Sequence, residues 1–264
     1  MKIGLAQIDI CWEQKEENKK KCSQMIQEAK QKGVDFIVFP EMTLTGFSMN
    51  TELIAESQEN SDTISYFREE AVKNQISVGF GVVIKGEKKA ENKFIIMDCS
   101  GTILTDYSKI HPFSFGEENE HYIKGEQVVS CQFNDFTVSP LICYDLRFPE
   151  IFQVCSRKSN LIVVIANWPT LRRGHWITLL KARAVENQCF IAGVNRFGDG
   201  NGVDYSGDSI VVNPYGEIIT HCLPSEGLIV ADIDAKLAEK YRKEFRLKDD
   251  RREELYIRFY REEI

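Results

Sequence analysis

The chain has 264 residues, of which 43% are hydrophobic and 28% are charged, and this composition is ordinary for a soluble globular protein. The formal net charge of −7 argues against a nucleic-acid partner, because such a partner calls for a basic face. No apolar run approaches the roughly 20 residues that cross a bilayer. The N-terminus also lacks a signal-peptide pattern, so we expect a cytoplasmic protein with no membrane association.

Strand and helix signals alternate along the chain. Short apolar runs predict strands, and apolar residues spaced by three and four predict helices. In chain order, the predicted elements are a strand at 2–8, a helix at 18–32, a strand at 34–39, a helix at 62–74, strands at 77–84, 93–99, 102–107, 136–142 and 161–166, a helix at 174–187, strands at 189–194, 209–212, 217–221 and 228–233, and a helix at 235–245. We interpret residues 1–264 as a single α/β domain with two packed sheets and helices on the outside.

The last segment, residues 248–264, differs in composition from the rest of the chain. It places a few apolar side chains, among them Leu255, Ile257 and Phe259, between charged ones. These are too few to form a core of their own. We therefore predict that the tail docks on another surface, either that of a second subunit in a dimer or that of its own subunit.

Three ionisable residues follow strand-like runs or lie in tight turns: Glu41, Lys109 and Cys143. Open α/β sheets place their chemistry at the carboxyl ends of strands. A thiolate is a nucleophile, a carboxylate can take its proton, and a lysine can stabilise the oxyanion that forms when the thiolate attacks a carbonyl. The backbone N–H of Tyr144 is a natural second donor to that oxyanion. The set is complete for acyl transfer and needs no metal or organic cofactor.

Each of these residues alone is typical of a loop or a core position. Motifs around them extend along nearly the whole chain: FPE at 39–41, YSKIH at 107–111, CYDLRFPE at 143–150, ANWP at 166–169, HW at 175–176, ARAVENQ at 182–188, GDS at 207–209 and NPYG at 213–216. In this order they resemble the nitrilase superfamily of carbon–nitrogen hydrolases. The resemblance implies a four-layer αββα sandwich, a homodimer with the tail reaching across it, and a Glu41–Lys109–Cys143 triad.

The same resemblance implies a second glutamate between the lysine and the cysteine. Three carboxylates compete for that place: Glu117, Glu118 and Glu120. Glu118, seven residues before Gly125, matches the family spacing best, and the other two are expected to be solvated. Its implied role is to orient Lys109 and the amide of the substrate.

The residue after the cysteine divides the superfamily. Tyr144 in place of tryptophan, followed by the motif at 145–148, resembles the branch of omega-amidases and deaminated-glutathione amidases, and residues 166–169 are similar to bacterial omega-amidases. Such enzymes hydrolyse the terminal amide of 2-oxoglutaramate or 2-oxosuccinamate through a thioester to ammonia and a dicarboxylic keto acid. The alternatives are a deaminated-glutathione amidase, another aliphatic amidase of the superfamily, or an inactive interaction module.

A small anionic amide requires a cation in its binding site, because a buried unpaired charge is costly. Arg172 lies where the omega-amidase type also has arginine, so the resemblance implies that it binds the carboxylate. Arg147 is the other candidate, and a solvated basic loop is the alternative reading of Arg172. Tyr144, Trp168 and Phe115 are the remaining predicted substrate-binding residues, with ordinary core packing as the alternative for the last two.

Overall fold

Two six-stranded β-sheets lie face to face at the centre of the fold, which the computed structural model describes over residues 1–262. Within those residues the strands, in chain order, are β1 (Lys2–Gln7), β2 (Phe36–Val38), β3 (Ser77–Lys85), β4 (Ala90–Met97), β5 (Ile103–Ser108), β6 (Cys131–Phe133), β7 (Phe136–Ile142), β8 (Leu161–Ala166), β9 (Phe190–Asn195), β10 (Phe197–Gly200), β11 (Val203–Ser206), β12 (Ile210–Val212), β13 (Ile218–His221) and β14 (Gly227–Asp232). The first sheet has the order β14-β1-β2-β3-β4-β5 and the second β13-β12-β9-β8-β7-β6, while β10 and β11 form a separate hairpin.

The first sheet is buried on both faces, and the alternation of its side chains explains how. Successive side chains of a strand point to opposite faces. Ile3 and Leu5 of β1 and Phe36 of β2 therefore join the core between the two sheets. Ala6 and Ile37, one position away, join a second core on the outer face. The sheet contributes to two cores at once, as the middle of a layered fold requires.

Helices cover the outer face of each sheet. Within residues 1–262 the α-helices are α1 (Lys15–Gln31), α2 (Thr51–Ile54), α3 (Asp62–Asn74), α4 (Glu118–His121), α5 (Pro149–Cys155), α6 (Arg173–Asn187), α7 (Ala235–Glu244) and α8 (Glu253–Arg261). Cys22 and Ile26 of α1 and Phe67 of α3 pack on the first sheet, whereas Trp176 and Leu180 of α6 pack on the second. The predicted four-layer αββα sandwich is confirmed. No described helix is long and apolar enough to cross a membrane.

Strand direction places the chemistry at one end of the sandwich. In the first sheet β1, β2 and β3 are parallel, and β5 has the same direction because two antiparallel pairings separate it from β3. In the second sheet β7, β8 and β9 are parallel. Glu41, Lys109 and Cys143 all follow the carboxyl ends of such strands. Carboxyl ends of parallel strands meet at one edge of a sheet, which is where these folds bind ligands.

Every predicted strand and helix is present, with bounds that differ by a few residues, and several short elements were not predicted. The strand predicted at 93–99 begins at Ala90, and the helix predicted at 18–32 begins at Lys15. The hairpin of β10 and β11 escaped prediction because residues 197–206 are rich in glycine and aspartate, which are depleted in strands. The one-turn helices α2 and α4 are too short to show helical periodicity.

The tail contacts its own subunit by polar groups. Arg251 donates to Gln153 of α5 at 2.6 Å, and the Tyr260 hydroxyl lies 3.3 Å from a carboxylate oxygen of Glu150. In α8 the side chains of Tyr256, Ile257, Phe259 and Tyr260 remain exposed, whereas Leu255 is partly buried. Residues 263 and 264 of the predicted tail lie outside the described residues.

Candidate active site

The Lys109 ammonium lies at the centre of a buried group that we call the Glu–Lys–Glu cluster, formed by Glu41, Lys109 and Glu118. Nζ donates to Glu41 Oε1 at 2.8 Å and to Glu118 Oε2 at 2.8 Å, and all three side chains are at most 1% exposed. Burial lowers the pKa of Lys109, but the carboxylates of Glu118 and Glu41 raise it by more, so it lies above the usual lysine value. The lysine is therefore a charged group that neutralises two neighbouring carboxylates.

Glu118 is the carboxylate that reaches Lys109, whereas Glu117 and Glu120 are exposed. It also accepts a hydrogen bond from the backbone N–H of Phe113 at 2.6 Å. Burial raises its pKa, Lys109 lowers it and the negative charge of Glu41 raises it again, and the net direction is upward. Of the three glutamates considered from the sequence, only this one lies inside the cluster.

Asn92 joins the two carboxylates from within β4. Its Nδ2 donates to Glu41 Oε1 at 2.8 Å and to Glu118 Oε1 at 2.9 Å. The sequence analysis did not identify this residue. The available signal was an uncharged polar residue in a stretch that the structure buries, which alone does not distinguish a site residue from a satisfied core amide.

The second oxygen of Glu41 is held by the other sheet. The backbone N–H of Asn167, which follows β8, donates to Glu41 Oε2 at 2.9 Å, and its side-chain amide donates to the Glu41 carbonyl at 2.6 Å. Gly81 of β3 lies so close that a Cβ there would stand 2.3 Å from the backbone nitrogen of Met42. These contacts leave the Glu41 carboxylate little freedom to move.

Cys143 begins a 3-10 turn directly after β7 and has a φ of 45°, in the left-handed region that non-glycine residues rarely adopt. Strain of this kind persists only where the surroundings enforce it and is common at functional sites. Asp145 supplies the constraint: its Oδ2 accepts the Ile142 N–H at 3.0 Å and the Tyr107 hydroxyl at 2.8 Å. The turn is thereby fixed to both sheets.

The Cys143 thiol is protonated in the resting protein. Burial raises its pKa, the negative charge of Glu41 raises it further, and Lys109 only partly opposes this. Its sulfur has one hydrogen-bond contact among the described residues, with the carbonyl of Asn167 at 3.9 Å. A nucleophilic role for this thiol therefore requires a base that takes its proton during the reaction.

Cys143 and Lys109 line a cavity of about 690 Å³ that contains all the substrate-binding residues predicted from the sequence. Its wall is largely aromatic and also contains two arginines, and its side chains include those of Phe47, Phe113, Phe115, Tyr144, Arg147, Trp168, Arg172 and Tyr205. A larger cleft of about 900 Å³ lies between the tail and α5, but the thiol and the Glu–Lys–Glu cluster are not part of it.

Two guanidinium groups stand in this cavity wall. The Cζ of Arg172 lies 5.5 Å from the ring centroid of Phe113, and that of Arg147 lies 4.8 Å from the ring centroid of Trp168. Within residues 1–262 neither forms an ion pair with a carboxylate. Both cations therefore remain available for an anionic ligand.

The aromatic residues predicted to wall the pocket differ in burial. Trp168 is only 3% exposed and donates its indole N–H to the Arg172 carbonyl at 2.8 Å, so it serves core packing and cavity wall together. Phe115 is 85% exposed at the rim, 5.9 Å from the ring of Phe113. The ring of Tyr144 meets Phe113 edge-on at 4.9 Å.

The hairpin of β10 and β11 forms a cavity wall that the sequence analysis missed. Its residues 202–205 line the cavity. The buried Asp208 anchors its end, because this carboxylate accepts from Arg173 Nε at 2.6 Å and from Ser206 Oγ at 2.7 Å and lies 2.9 Å from His221 Nε2. Arg173, the neighbour of Arg172, is thus an anchor of the hairpin.

A family model described as carbon-nitrogen hydrolase matches residues 2–243. The chain belongs to this family. It is therefore a hydrolase of carbon–nitrogen bonds other than peptide bonds, as the resemblance implied. Among the described residues, no group of three or more His, Cys, Asp or Glu side chains is placed to hold a metal ion.

Relatives of this carbon-nitrogen hydrolase carry specific names. Omega-amidase YafV of Escherichia coli strain K12 is 39% identical over 220 residues, which are 82% of each chain. The 2-oxoglutaramate amidase of Bacillus subtilis is 32% identical over 257 residues, covering 96% of this chain and 98% of the relative. The similarity extends over nearly the whole hydrolase.

Solved structures of similar proteins agree with the fold. A CN-hydrolase superfamily protein from Xanthomonas campestris, with an arsenic adduct in its active site, has a TM-score of 0.88 and 29% identity, covering 95% of this chain and 97% of that one. An amidase from Nesterenkonia sp. AN1, in which acrylamide has added to the active-site cysteine, has a TM-score of 0.87 and 25% identity, covering 98% and 99%.

Proposed function

We propose that this carbon-nitrogen hydrolase is an omega-amidase that hydrolyses the terminal amide of 2-oxoglutaramate or 2-oxosuccinamate. The observation that carries the proposal is the cavity that joins the Cys143 thiol and the Glu–Lys–Glu cluster to two guanidinium groups without carboxylate partners among residues 1–262. Such a cavity fits a small molecule with an amide at one end and a carboxylate at the other. The relatives named omega-amidase and 2-oxoglutaramate amidase support the same substrate class.

The proposed reaction begins with proton transfer from Cys143 to Glu41. The thiolate adds to the amide carbon, and the oxyanion that forms is stabilised by Lys109 and the backbone N–H of Tyr144. Glu41 returns the proton to the departing nitrogen, the C–N bond breaks, and ammonia and a thioester result. Glu41 then deprotonates a water molecule that attacks the thioester. The C–S bond breaks, the acid leaves, and the sulfur recovers a proton.

Glu118 has a supporting role in this scheme. It binds the Lys109 ammonium through both of its carboxylate oxygens and is oriented by Asn92 and the Phe113 N–H. Because the ammonium is held by two carboxylates, it is already positioned when the oxyanion forms. Electrostatic stabilisation is effective when its donors need not reorganise during the reaction.

Substrate comparison tests the proposed function. We expect the purified protein to release ammonia from 2-oxoglutaramate with a kcat/KM at least about tenfold higher than that for cleavage of deaminated glutathione, a gap of about 1.4 kcal/mol in transition-state binding. A preference for deaminated glutathione would contradict the proposal. Failure to hydrolyse any of these amides would favour the inactive interaction module.

For the carboxylate, we propose Arg172 as the ligand. Arg172→Gln is expected to raise KM for 2-oxoglutaramate about 10- to 100-fold with a smaller change in kcat, because a charge-assisted hydrogen bond to the substrate is lost. Arg147→Gln is expected to raise KM by a smaller factor, since the Arg147 guanidinium already stacks on Trp168 and lies 3.3 Å from His175 Nδ1. Steady-state kinetics of both variants measures the difference.

Arg68→Gln is the matched control for these variants. Arg68 is exposed on α3, outside both the cavity of Cys143 and the tail, so the kinetics of this variant should equal those of the unmodified protein. A larger rise in KM for Arg147→Gln than for Arg172→Gln would show that Arg147, and not Arg172, binds the carboxylate of the substrate.

We also propose that residues 1–264 form one domain that acts as a cytoplasmic homodimer, with the tail at 248–264 docked across the interface. Most of the apolar and aromatic side chains of α8 are exposed, as are Val154 of α5 and Val185 of α6. Exposed apolar surface of this kind is typical of a protein–protein contact. Sedimentation equilibrium should give twice the chain mass, and a monomer at micromolar concentration would contradict the dimer.

A further inference from the structure

The hydroxyl of Tyr205, in β11, has no hydrogen-bond partner in the described part of the chain. The side chain is 4% exposed and forms part of the wall of the Cys143 cavity. Within residues 1–262 its hydroxyl makes no hydrogen bond. Buried tyrosine hydroxyls normally have a partner. The other deeply buried tyrosines follow this rule, since Tyr107 donates to Asp145 and Tyr122 donates to the Ser48 carbonyl.

Several other polar groups of the cavity have functions or partners of their own. Lys109 is held by the Glu–Lys–Glu cluster, and Trp168 Nε1 is occupied by the Arg172 carbonyl. The Thr170 hydroxyl is buried without a partner and has no access to the cavity space. Two phenols line the cavity without a hydrogen bond within residues 1–262, those of Tyr144 and Tyr205. The side chain of Tyr205 is the more deeply buried of the two, so its hydroxyl has the greater need of a partner from the ligand.

The substrate class proposed above has three polar groups. Its amide belongs beside Cys143 and Lys109, and its carboxylate beside a guanidinium. The third is the 2-oxo oxygen, a pure acceptor that requires a donor if it is buried without water. A phenol hydroxyl supplies that donor and carries no charge that would compete for the carboxylate.

The position of the Tyr205 ring is fixed. Its face lies 4.6 Å from the guanidinium carbon of the buried Arg196, and a Cβ on Gly200 would stand 3.2 Å from its ring edge. Burial raises the pKa of Tyr205 to about 12, with Arg196 opposing the rise and the negative charge of Glu41 adding to it. The hydroxyl therefore keeps its proton at neutral pH and can donate it in a hydrogen bond.

We propose that Tyr205 donates a hydrogen bond to the 2-oxo oxygen of the bound substrate and thereby selects 2-oxo acid amides over amides that lack this oxygen. The inference rests on the proposed function and assigns the recognition of one further substrate group. A site built to hydrogen-bond a substrate group discriminates against analogues that lack it.

Tyr205→Phe tests the assignment, because it removes the hydroxyl and keeps the ring. Kinetics are measured with 2-oxoglutaramate and with glutaramate, which has the same amide and carboxylate but no 2-oxo group. We expect kcat/KM for 2-oxoglutaramate to fall about tenfold and that for glutaramate to change less than about twofold. The melting temperature should stay within about 2 °C, because no protein hydrogen bond is lost.

Tyr215→Phe is the matched control. Tyr215 is 43% exposed and lies outside the cavity, and the centre of its ring is 4.2 Å from that of Tyr241. Loss of the Tyr215 hydroxyl should therefore leave kcat/KM for both substrates unchanged. Where glutaramate turnover is too slow to measure, calorimetric binding of both amides to Cys143→Ala, with and without Tyr205→Phe, gives the same comparison and the same expected tenfold selective loss.

Two results would overturn the assignment of Tyr205 alone. The first is an unchanged preference of Tyr205→Phe for 2-oxoglutaramate. The second is an equal loss of kcat/KM with both substrates, which would mean that the hydroxyl binds the amide or the carboxylate that both substrates share. Absence of 2-oxoglutaramate turnover in the unmodified protein is a different outcome. It would refute the proposed function, and the 2-oxo contact with it.

Discussion

Replacing Cys143 by alanine is expected to abolish amide hydrolysis by this carbon-nitrogen hydrolase while leaving it folded. Loss of the nucleophile in acyl transfer typically lowers kcat by about 10⁶. Among residues 1–262 no other cysteine lines the cavity. The cost in stability should be small, because the change removes one sulfur atom whose single hydrogen-bond contact within residues 1–262 is long, 3.9 Å to the Asn167 carbonyl. Ammonia release from 2-oxoglutaramate and the thermal unfolding temperature measure the two effects.

Cys99→Ala provides the comparison for this variant. Cys99 is an exposed free thiol after β4, so its loss should change neither turnover nor stability. Mass spectrometry after iodoacetamide treatment adds a second readout, since 2-oxoglutaramate should protect Cys143 and leave Cys99 unprotected. Retained turnover in Cys143→Ala would contradict the proposed thioester mechanism.

Strand order explains why the sequence was sufficient to bring Glu41, Lys109 and Cys143 together as candidates. Glu41 and Cys143 follow strands that have parallel neighbours, and Lys109 follows β5, which has the same direction as β3 across two antiparallel pairings. The carboxyl ends of these strands can therefore be expected to meet without any knowledge of side-chain contacts. The family spacing then singled out Glu118 among three glutamates, and the structure places this residue in the cluster.

Contacts between distant strands were beyond sequence reasoning. Asn92 pairs with Val83 of β3, which in turn lies parallel to β2, the strand that precedes Glu41. No local pattern encodes a contact between two residues that are 51 positions apart in the chain. Tyr205 was hidden in a segment whose glycines and aspartates are typical of a loop. Arg172 and Arg173 are adjacent, yet one faces the cavity and the other binds Asp208, because the start of α6 turns them in different directions.

Lys109→Met is expected to impair both activity and folding. The variant keeps a side chain of similar length but leaves Glu41 and Glu118 buried together without a cation. Removing one partner of a buried ion pair costs about 3–5 kcal/mol, which lowers the melting temperature of a domain this size by roughly 10 °C. Loss of an oxyanion donor lowers kcat about 10²- to 10³-fold. Thermal unfolding and ammonia release at about pH 7.5 measure these losses.

The pH dependence of this loss follows from the carboxylates. The pKa of Glu118 is already raised in the folded protein by burial and by Glu41, and Lys109 is the group that opposes the rise. A carboxyl group whose pKa is higher when folded stabilises the fold below its unfolded pKa, and that contribution is lost as pH rises through the folded pKa. Without Lys109 the folded pKa rises further. The stability gap between Lys109→Met and the unmodified protein should therefore be largest near neutral pH and narrow towards about pH 5.

The double variant Lys109→Met with Glu118→Gln separates charge from packing. It leaves one carboxylate in the cluster, where Asn92 and the Asn167 N–H still bind Glu41. We expect it to be more stable than Lys109→Met alone near neutral pH and equally inactive, because the repulsion is relieved but the oxyanion donor is not restored. If Lys109→Met unfolds at the same temperature as the unmodified protein, or if the added Glu118→Gln lowers stability further, the two carboxylates do not depend on the lysine for their charge balance.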